Sequence, residues 1–409
     1  MSKLGSGGGA LRDSGLYFGA QLGSRILNFV YFLILTRNLP IDEFGVLNYA
    51  LSIVIMLDIV LDLGLSRHAM REISKAPHLS GMFVRRILPY KLAASTLVFL
   101  GFCLMMFLSD QPTTYKIINI LAALGLFFTS PAMLFENILQ ANHRFALISL
   151  AHVILSCVQF VVGVGLILLG GSTILISLTF ALTYFVYAGI VFWGARGLLF
   201  DIPARADYGA LLRSVPSSFP YLVSAMVIMF AIRAEFVVLG FFGSKADLAV
   251  FGMATKIVEA SLLLPMAFTT VMSPRFSMAH GQGRANLTRI YYSGLEMILL
   301  LAIPLCLAAF ACVPLAQWAL GGKEYDAIDD ILYITFLGFT AASAFLFNTS
   351  ALFGAVNQTR PVAILGALVL VQIGINIALQ APYGMWGAAL AFVVFMAVAA
   401  ICTTLAIMI

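Results

Sequence analysis

Charge is scarce in this 409-residue chain: 23 Lys+Arg and 18 Asp+Glu amount to 10% of it, beside 62% hydrophobic residues. Soluble domains carry about 25% charged residues, so a water-soluble fold is excluded. Cysteine is scarce too. Cys103, Cys157, Cys306, Cys312 and Cys402 all fall in apolar runs with no histidine at ligand spacing, which argues against a disulfide framework or a metal site and reads as reduced packing residues. No Ser-His-Asp order, zinc spacing or nucleotide-binding loop appears, so no ATP site, no cofactor and no enzyme are expected. The net charge of +5 is spread over the connections between apolar runs and not gathered on one face, and nucleic acid is set aside as a partner. The first fifteen residues lack the basic-apolar-small order of a cleaved signal peptide and read as a retained flexible tail. The loose match of Gly5 to Ala10 to a dinucleotide loop has no strand before it.

Long apolar runs are what the chain does have. They lie at 16–36, 45–65, 88–108, 117–136, 146–169, 173–195, 216–241, 249–272, 290–314, 331–355, 361–380 and 384–406, each near the roughly 20 residues a transmembrane helix needs. The expected fold class is therefore an all-α polytopic membrane protein of about 12 transmembrane helices. Basic residues collect on the cytoplasmic side. In alternate connections 16 Lys and Arg fall on one side, among them Arg67, Arg71, Arg85, Lys91 and Arg144, and four on the other, Arg37, Lys116, Lys245 and Lys323. Both termini are thus expected in the cytoplasm.

The connection near 196–215 divides the chain into six helices before and six after, giving expected lobes at 1–200 and 201–409. A shift of 204 residues lays Phe44–Ala50 over Leu248–Ala254 and Arg71 over Arg275. Six is even, so the halves would share an orientation and be related by an axis along the membrane normal, with the ligand at the repeat interface.

Eight ionisable residues within the runs call for a reason: Arg25, Arg233, Lys256, Asp58, Asp62, Glu235, Glu259 and Glu296. A charge at the bilayer centre costs at least about 2.5–3.5 kcal/mol, so such groups face a polar cavity or each other. Tyr17, Gln21, Ser24, Arg25 and Asn28 share one face of the first helix, and Asn48, Ser52, Asp58 and Asp62 one face of the second. Arg25 and Asp58 are expected to pair. On the seventh helix Tyr221, Ser224 and Glu235 share a face with Arg233 turned away, and Lys256 and Glu259 stand three apart on the eighth. Structural ion pairs between helices are the alternative reading. Charges at equivalent places in both halves favour a central cavity, whose cations suit a phosphate gripped by Arg and whose hydroxyl and amide groups suit sugar. Gln372, Asn376 and Gln380, at spacing four, fit either a cavity face or helix packing. Asp58-x-x-x-Asp62 has no second such motif within the membrane to hold magnesium, and His152 reads as a hydrogen-bonded packing residue.

Arg37-Asn-Leu-Pro40, Phe44-Gly45-x-Leu47-x-Tyr49-Ala50, Asp62-Leu63-Gly64-Leu65 and Arg71-Glu72-Ile73 resemble the opening of the bacterial polysaccharide biosynthesis and O-antigen oligosaccharide flippases of the multidrug/oligosaccharidyl-lipid/polysaccharide exporter superfamily. The likeness continues in Arg233-x-Glu235, Phe251-Gly252-x-Ala254-x-Lys256-Ile257-x-Glu259, Pro274-Arg275 and Gly384-x-x-Gly387. The resemblance implies two six-helix lobes around a V-shaped cavity and alternating access. It also implies transfer of undecaprenyl-pyrophosphate-linked oligosaccharide from the cytoplasmic to the periplasmic leaflet of the bacterial inner membrane, for O-antigen, capsule or exopolysaccharide assembly. Glu235 stands where members often have Asp. The partners implied are the lipid-linked glycan, membrane lipids, a proton or sodium ion and other polysaccharide assembly proteins. In this reading Arg25, Arg233 and Lys256 meet the pyrophosphate. Tyr17, Gln21, Ser24, Asn28, Asn48, Ser52, Tyr221 and Ser224 face the sugars, and Asp58, Asp62, Glu235, Glu259 and Glu296 serve ion coupling or gating. A drug or cation antiporter of the same fold and an intramembrane prenyl- or glycosyl-transfer enzyme are the rival readings.

Overall fold

A lipid phase offers the backbone no hydrogen-bond partner, so each spanning segment has to satisfy its own N–H and C=O groups, as a helix does. In the computed structural model, which describes residues 7–199, 208–320, 325–353 and 359–408, every regular element is helical. The order is α1 (Gly7–Asn38), α2 (Ile41–Asp62), α3 (Leu65–Lys75), α4 (Ser80–Leu108), α5 (Thr113–Leu124), α6 (Leu126–Ala141), α7 (Phe145–Leu168) and α8 (Thr173–Ala195). It continues with α9 (Tyr208–Phe242), α10 (Lys245–Ser261), α11 (Leu263–Gly281), α12 (Arg284–Leu320), α13 (Ile328–Leu337), α14 (Phe339–Phe353) and α15 (Thr359–Met408).

Among the described residues seven helices are long and apolar enough to cross a membrane, or nine if two bent pairs each count as one span. The single runs expected at 249–272 and 331–355 are those pairs, α10 with α11 and α13 with α14, bent by 46° and 47°. Conversely, the runs at 361–380 and 384–406 form the one 50-residue element α15. It is about 75 Å long at 1.5 Å per residue, more than twice the roughly 30 Å hydrocarbon core. Gly384, with φ 53° and ψ −129°, breaks it between the two expected spans.

The described chain forms two compact units, one of residues 1–38 and 53–222, the other of 39–52 and 223–409. In the first, α1 packs on α7, α7 and α6 on α8, and α6 also on α3 and α4, around a core that includes Leu65, Phe83, Leu134, Ile138 and Val191. In the second, α11, α12 and α14 pack together and α13 and α14 pack on α15. There Phe347 meets the rings of Phe276 at 5.2 Å and Tyr291 at 5.9 Å. Lipid tails are as apolar as these side chains, so such contacts act through van der Waals fit and not by expelling water. Leu97, Phe107, Leu168 and Leu307 stand outward and exposed, a surface that suits acyl chains.

Two of the family-like motifs have local physical causes. Asp62-Leu63-Gly64-Leu65 is the break between α2 and α3: Leu63 and Gly64 take φ of 50° and 73°. Asp62 Oδ2 then accepts the Ser66 N–H at 3.2 Å, satisfying one of the free donors at the start of α3. Gly45 lies against the backbone carbonyl of Lys245, which leaves no room for a Cβ. Lys245 opens α10, whose Ser244 and Asp247 form a capping box at 3.1 and 2.8 Å, reciprocally satisfying two donors.

Candidate functional site

In the second unit α9 and α10 bring Arg233, Lys256 and Glu259 together. Arg233 Nη2 stands 2.8 Å from Glu259 Oε1, and its Nη1 donates to Ser52 Oγ at 3.4 Å. Lys256 lies within the electrostatic reach of both charged partners. Side-chain exposures of 15% for Arg233 and 27% for Glu259 leave the group open to a ligand. Two basic side chains share one carboxylate, a set that suits an anion with several acceptor oxygens. Asn48, also buried, lies on the same stretch of α2 as Ser52.

Glu235, two residues from Arg233, faces a different neighbour. It is fully buried, and Gln372 of α15 donates to its Oε1 at 3.1 Å and to the Phe230 carbonyl at 2.5 Å. Gln380 donates to the Glu235 carbonyl at 3.0 Å and to Asn376 Oδ1 at 2.5 Å. The four-residue spacing of Gln372, Asn376 and Gln380 is thus one amide-lined face of α15 turned to a buried carboxylate. The amide oxygens Gln372 Oε1 and Gln380 Oε1 are buried without a hydrogen-bond donor, so acceptors converge here.

The expected Arg25–Asp58 pair is corrected by the first unit. Arg25 is exposed on α1 and forms no ion pair among the described residues, while Asp58 lies beside Lys91, Thr129 and Ser130. Lys91 itself is a second correction. Expected in a cytoplasmic connection, it lies inside α4 and is fully buried, because the helix begins at Ser80, eight residues before the apolar run. Its ammonium meets Asp62 Oδ1 at 2.6 Å and donates to the Ser130 carbonyl at 2.9 Å. Asp62 also accepts the Ser66 hydroxyl at 2.5 Å. This closed pair, 0% and 3% exposed, has no capacity left for a ligand.

The remaining predicted residues are dispersed. Asn28 donates to Ser156 at 3.4 Å, Ser24 is buried, and Gln21 is half-buried on α1. The Tyr221 hydroxyl accepts from Arg71 at 2.7 Å, and Glu296 is exposed on α12. The side chains of Tyr17 and Ser224 lie outside the described residues. Sequence reasoning missed Glu136, which sits at the very end of the run 117–136, and its contacts with His152 and Tyr187. A carboxylate and a histidine on adjacent apolar runs were the available signal. Among the described residues no group of three or more His, Cys, Asp or Glu is placed to hold a metal.

Comparison with solved structures gives the same fold at low identity. A structure described as the inward-facing conformation of a multidrug resistance MATE family transporter of the MOP superfamily matches with a TM-score of 0.76 and 15% identity, over 94% of each chain. The lipid II flippase MurJ in its inward closed conformation matches with a TM-score of 0.72 and 15% identity, over 96% of this chain and 87% of that one. An outward-facing MATE family transporter gives 0.70 and 15% over 97% and 93%. None of the curated proteins compared matches the sequence. The polysaccharide biosynthesis protein family matches residues 10–280, about two thirds of a chain whose helical architecture is that of the MOP-superfamily transporters, and the protein belongs to that family.

Proposed function

We propose that the protein is a flippase that moves an undecaprenyl-pyrophosphate-linked oligosaccharide from the cytoplasmic to the periplasmic leaflet of a bacterial inner membrane, with both termini cytoplasmic. The observation that carries this reading is the grouping of two basic side chains, Arg233 and Lys256, with the single carboxylate of Glu259 in a polysaccharide biosynthesis family member. A pyrophosphate presents the acceptor oxygens such a group needs. Arg233 is already ordered by Ser52 and Glu259, so little side-chain freedom is lost when the anion binds. The sugars meet polar groups such as Asn48 and Ser52, and the polyprenyl chain stays in lipid.

Of the acidic residues expected in ion coupling, Asp62 is closed on Lys91 and Glu259 is held by Arg233. Glu235, with convergent amide oxygens around it, is the one we assign to a bound sodium ion. An imposed gradient can reset the cycle, since one charge crossing 100 mV is worth about 2.3 kcal/mol. That solved relatives of the same fold occur in inward- and outward-facing forms supports alternating access.

The test is Lys256→Gln in nanodiscs. A charge-assisted hydrogen bond is worth about 1.5–3 kcal/mol, so binding of an undecaprenyl-pyrophosphate oligosaccharide should weaken roughly ten- to a hundred-fold, with lipophilic cations unaffected. Unchanged binding of the lipid-linked sugar together with tight binding of lipophilic cations favours a drug antiporter instead. Lower stability rescued by Glu259→Gln, with substrate affinity restored in the double variant, reduces Lys256 to a structural partner.

A further inference from the structure

We propose that Glu136, His152 and Tyr187 form a proton-binding site inside the first unit, through which a proton gradient drives transport. The inference rests on the transport reading above but concerns residues that reading does not use.

Three helices contribute one group each. Glu136 lies on α6, five residues before its end, His152 on α7 and Tyr187 on α8. The Tyr187 hydroxyl donates to Glu136 Oε2 at 2.6 Å and stands 3.3 Å from His152 Nε2, whose distance to Glu136 Oε1 is 3.6 Å. The His152 ring lies 5.1 Å from the Tyr187 ring, and Gln140 donates to Glu136 Oε1 at 3.0 Å.

This donor set separates the cluster from a purely structural ion pair. When His152 carries a proton, its imidazolium neutralises the carboxylate across 3.6 Å. When the proton leaves, the carboxylate still has the Tyr187 hydroxyl and the Gln140 amide. Neither state leaves a buried charge bare, so both are affordable within a lipid-embedded unit. Loading the site forms one N–H bond on His152 Nε2 as one O–H bond of a hydronium ion breaks and a water molecule leaves, and it changes the charge of the cluster from −1 to 0.

Access differs in the same sense. His152 and Glu136 are 24% and 21% exposed, whereas Lys91 and Asp62 are 0% and 3% exposed. From His152 a polar seam continues through the packed helices. Ser156 and Gln159 follow on the same face of α7, and Thr183 and Thr179 precede Tyr187 on α8. Thr183 donates to Gln159 at 2.6 Å, Gln159 to Thr179 at 3.1 Å, and Asn28 of α1 to Ser156 at 3.4 Å. The seam from Thr179 to Tyr187 is about 12 Å long, a row of exchangeable groups where apolar packing alone would serve the fold.

Among the described residues no other ionisable group acts on the Glu136 carboxylate. The ionisable groups that face the Glu136 carboxylate from the helices packed against α6 are His152 and Tyr187. On α4, Lys91 is taken by Asp62, beside which Asp58 of α2 lies. On α3, Arg67 lies within the electrostatic reach of Asp62, the His68 ring meets that of Phe83 at 6.1 Å, Glu72 and Lys75 hold each other and Arg71 is on Tyr221. Beyond α8, Arg196 stacks over Trp193 at 5.0 Å. Among the described residues no third His, Cys, Asp or Glu joins this imidazole and carboxylate, a set that suits a proton better than a metal cation.

The experiment measures flipping of an undecaprenyl-pyrophosphate oligosaccharide in proteoliposomes with and without a one-unit pH gradient, and reads the ratio of the two rates, which loss of folded protein does not move. We expect acceleration of up to about tenfold for the wild type, a ratio near one for Glu136→Gln and for His152→Gln, and a ratio still above one for Tyr187→Phe, which keeps the carboxylate and the imidazole. A Glu136→Gln variant that accelerates like the wild type overturns the proposal, as does a wild type that flips but ignores the gradient. Should the wild type move no lipid-linked sugar at all, the flippase reading fails, and the proton site is judged alone by histidine-selective 15N spectra. The His152 resonance, assigned by its loss in His152→Gln, should titrate with a midpoint that moves in Glu136→Gln. An unmoved midpoint overturns the site.

Discussion

Removing the Lys91 ammonium tests whether the first unit is held by a closed ion pair. The ammonium lies 2.6 Å from Asp62 Oδ1 with both side chains excluded from the surface. Methionine at position 91 keeps most of the volume and deletes the charge. Asp62 would then retain only the Ser66 N–H and hydroxyl as donors. Breaking one side of a buried pair costs about 3–5 kcal/mol, because the surviving charge is stranded. In a unit of this size each kcal/mol shifts the melting temperature by about 2–4 °C, so Lys91→Met should melt roughly 6–20 °C lower. Replacing both partners by neutral groups strands nothing. The double variant Lys91→Met with Asp62→Asn should therefore recover most of the loss, and the double-mutant cycle should show strong coupling. Intrinsic fluorescence during heating in one fixed detergent or nanodisc gives all four values. A single variant within about 2 °C of wild type, or a double variant as unstable as the sum of the singles, would refute the argument.

With cysteine-free protein as background, His143→Cys, between α6 and α7, should be labelled by an impermeant thiol reagent only from the cytoplasmic side and Ser172→Cys, between α7 and α8, only from the outside; the reverse pattern inverts the proposed orientation. Gly45→Val should destabilise by about 1–3 kcal/mol, read as a lower melting temperature, since the new side chain meets the Lys245 backbone carbonyl, which cannot rotate away. On α3, outside the spans, the Lys75 ammonium 2.7 Å away holds the Glu72 carboxyl below its ordinary range. A carboxyl lowered on folding contributes stability above its unfolded pKa and loses it as pH falls through the folded value. Glu72→Gln should thus cost at most about 0.5 kcal/mol at neutral pH, this pair being exposed, and nothing at pH below that range, as paired melting curves would record.

The neighbours' fold and the family match give the likeness read from Phe44-Gly45 and Asp62-Leu63-Gly64 its explanation, since these motifs serve close backbone approach and a left-handed break, both local events that a short string of residues encodes. The class of the protein is legible for a similar reason. Apolar runs near membrane length with few charges leave helices as the only spanning structure whose hydrogen bonds close within the segment, so hydropathy alone finds them. The spacing of Gln372, Asn376 and Gln380 likewise marks one face of a helix. What that face meets is another matter: Glu235 is 137 residues from Gln372, and nothing in either segment names the other. Lys91 shows the same limit, since its partner lies on another helix and its place at the start of the run 88–108 let it be counted with the preceding connection, and Asp58 lies in the vicinity of Lys91 and not beside Arg25. Glu136 entered no list because it closes a run, although α7 and α8 bring His152 and Tyr187 to it. Helices and membrane placement follow from interactions within about four residues along the chain, which sequence contains directly; which charge neutralises which follows from helix packing across tens to hundreds of residues, where small differences in fit decide the partner, and only the tertiary structure holds that information.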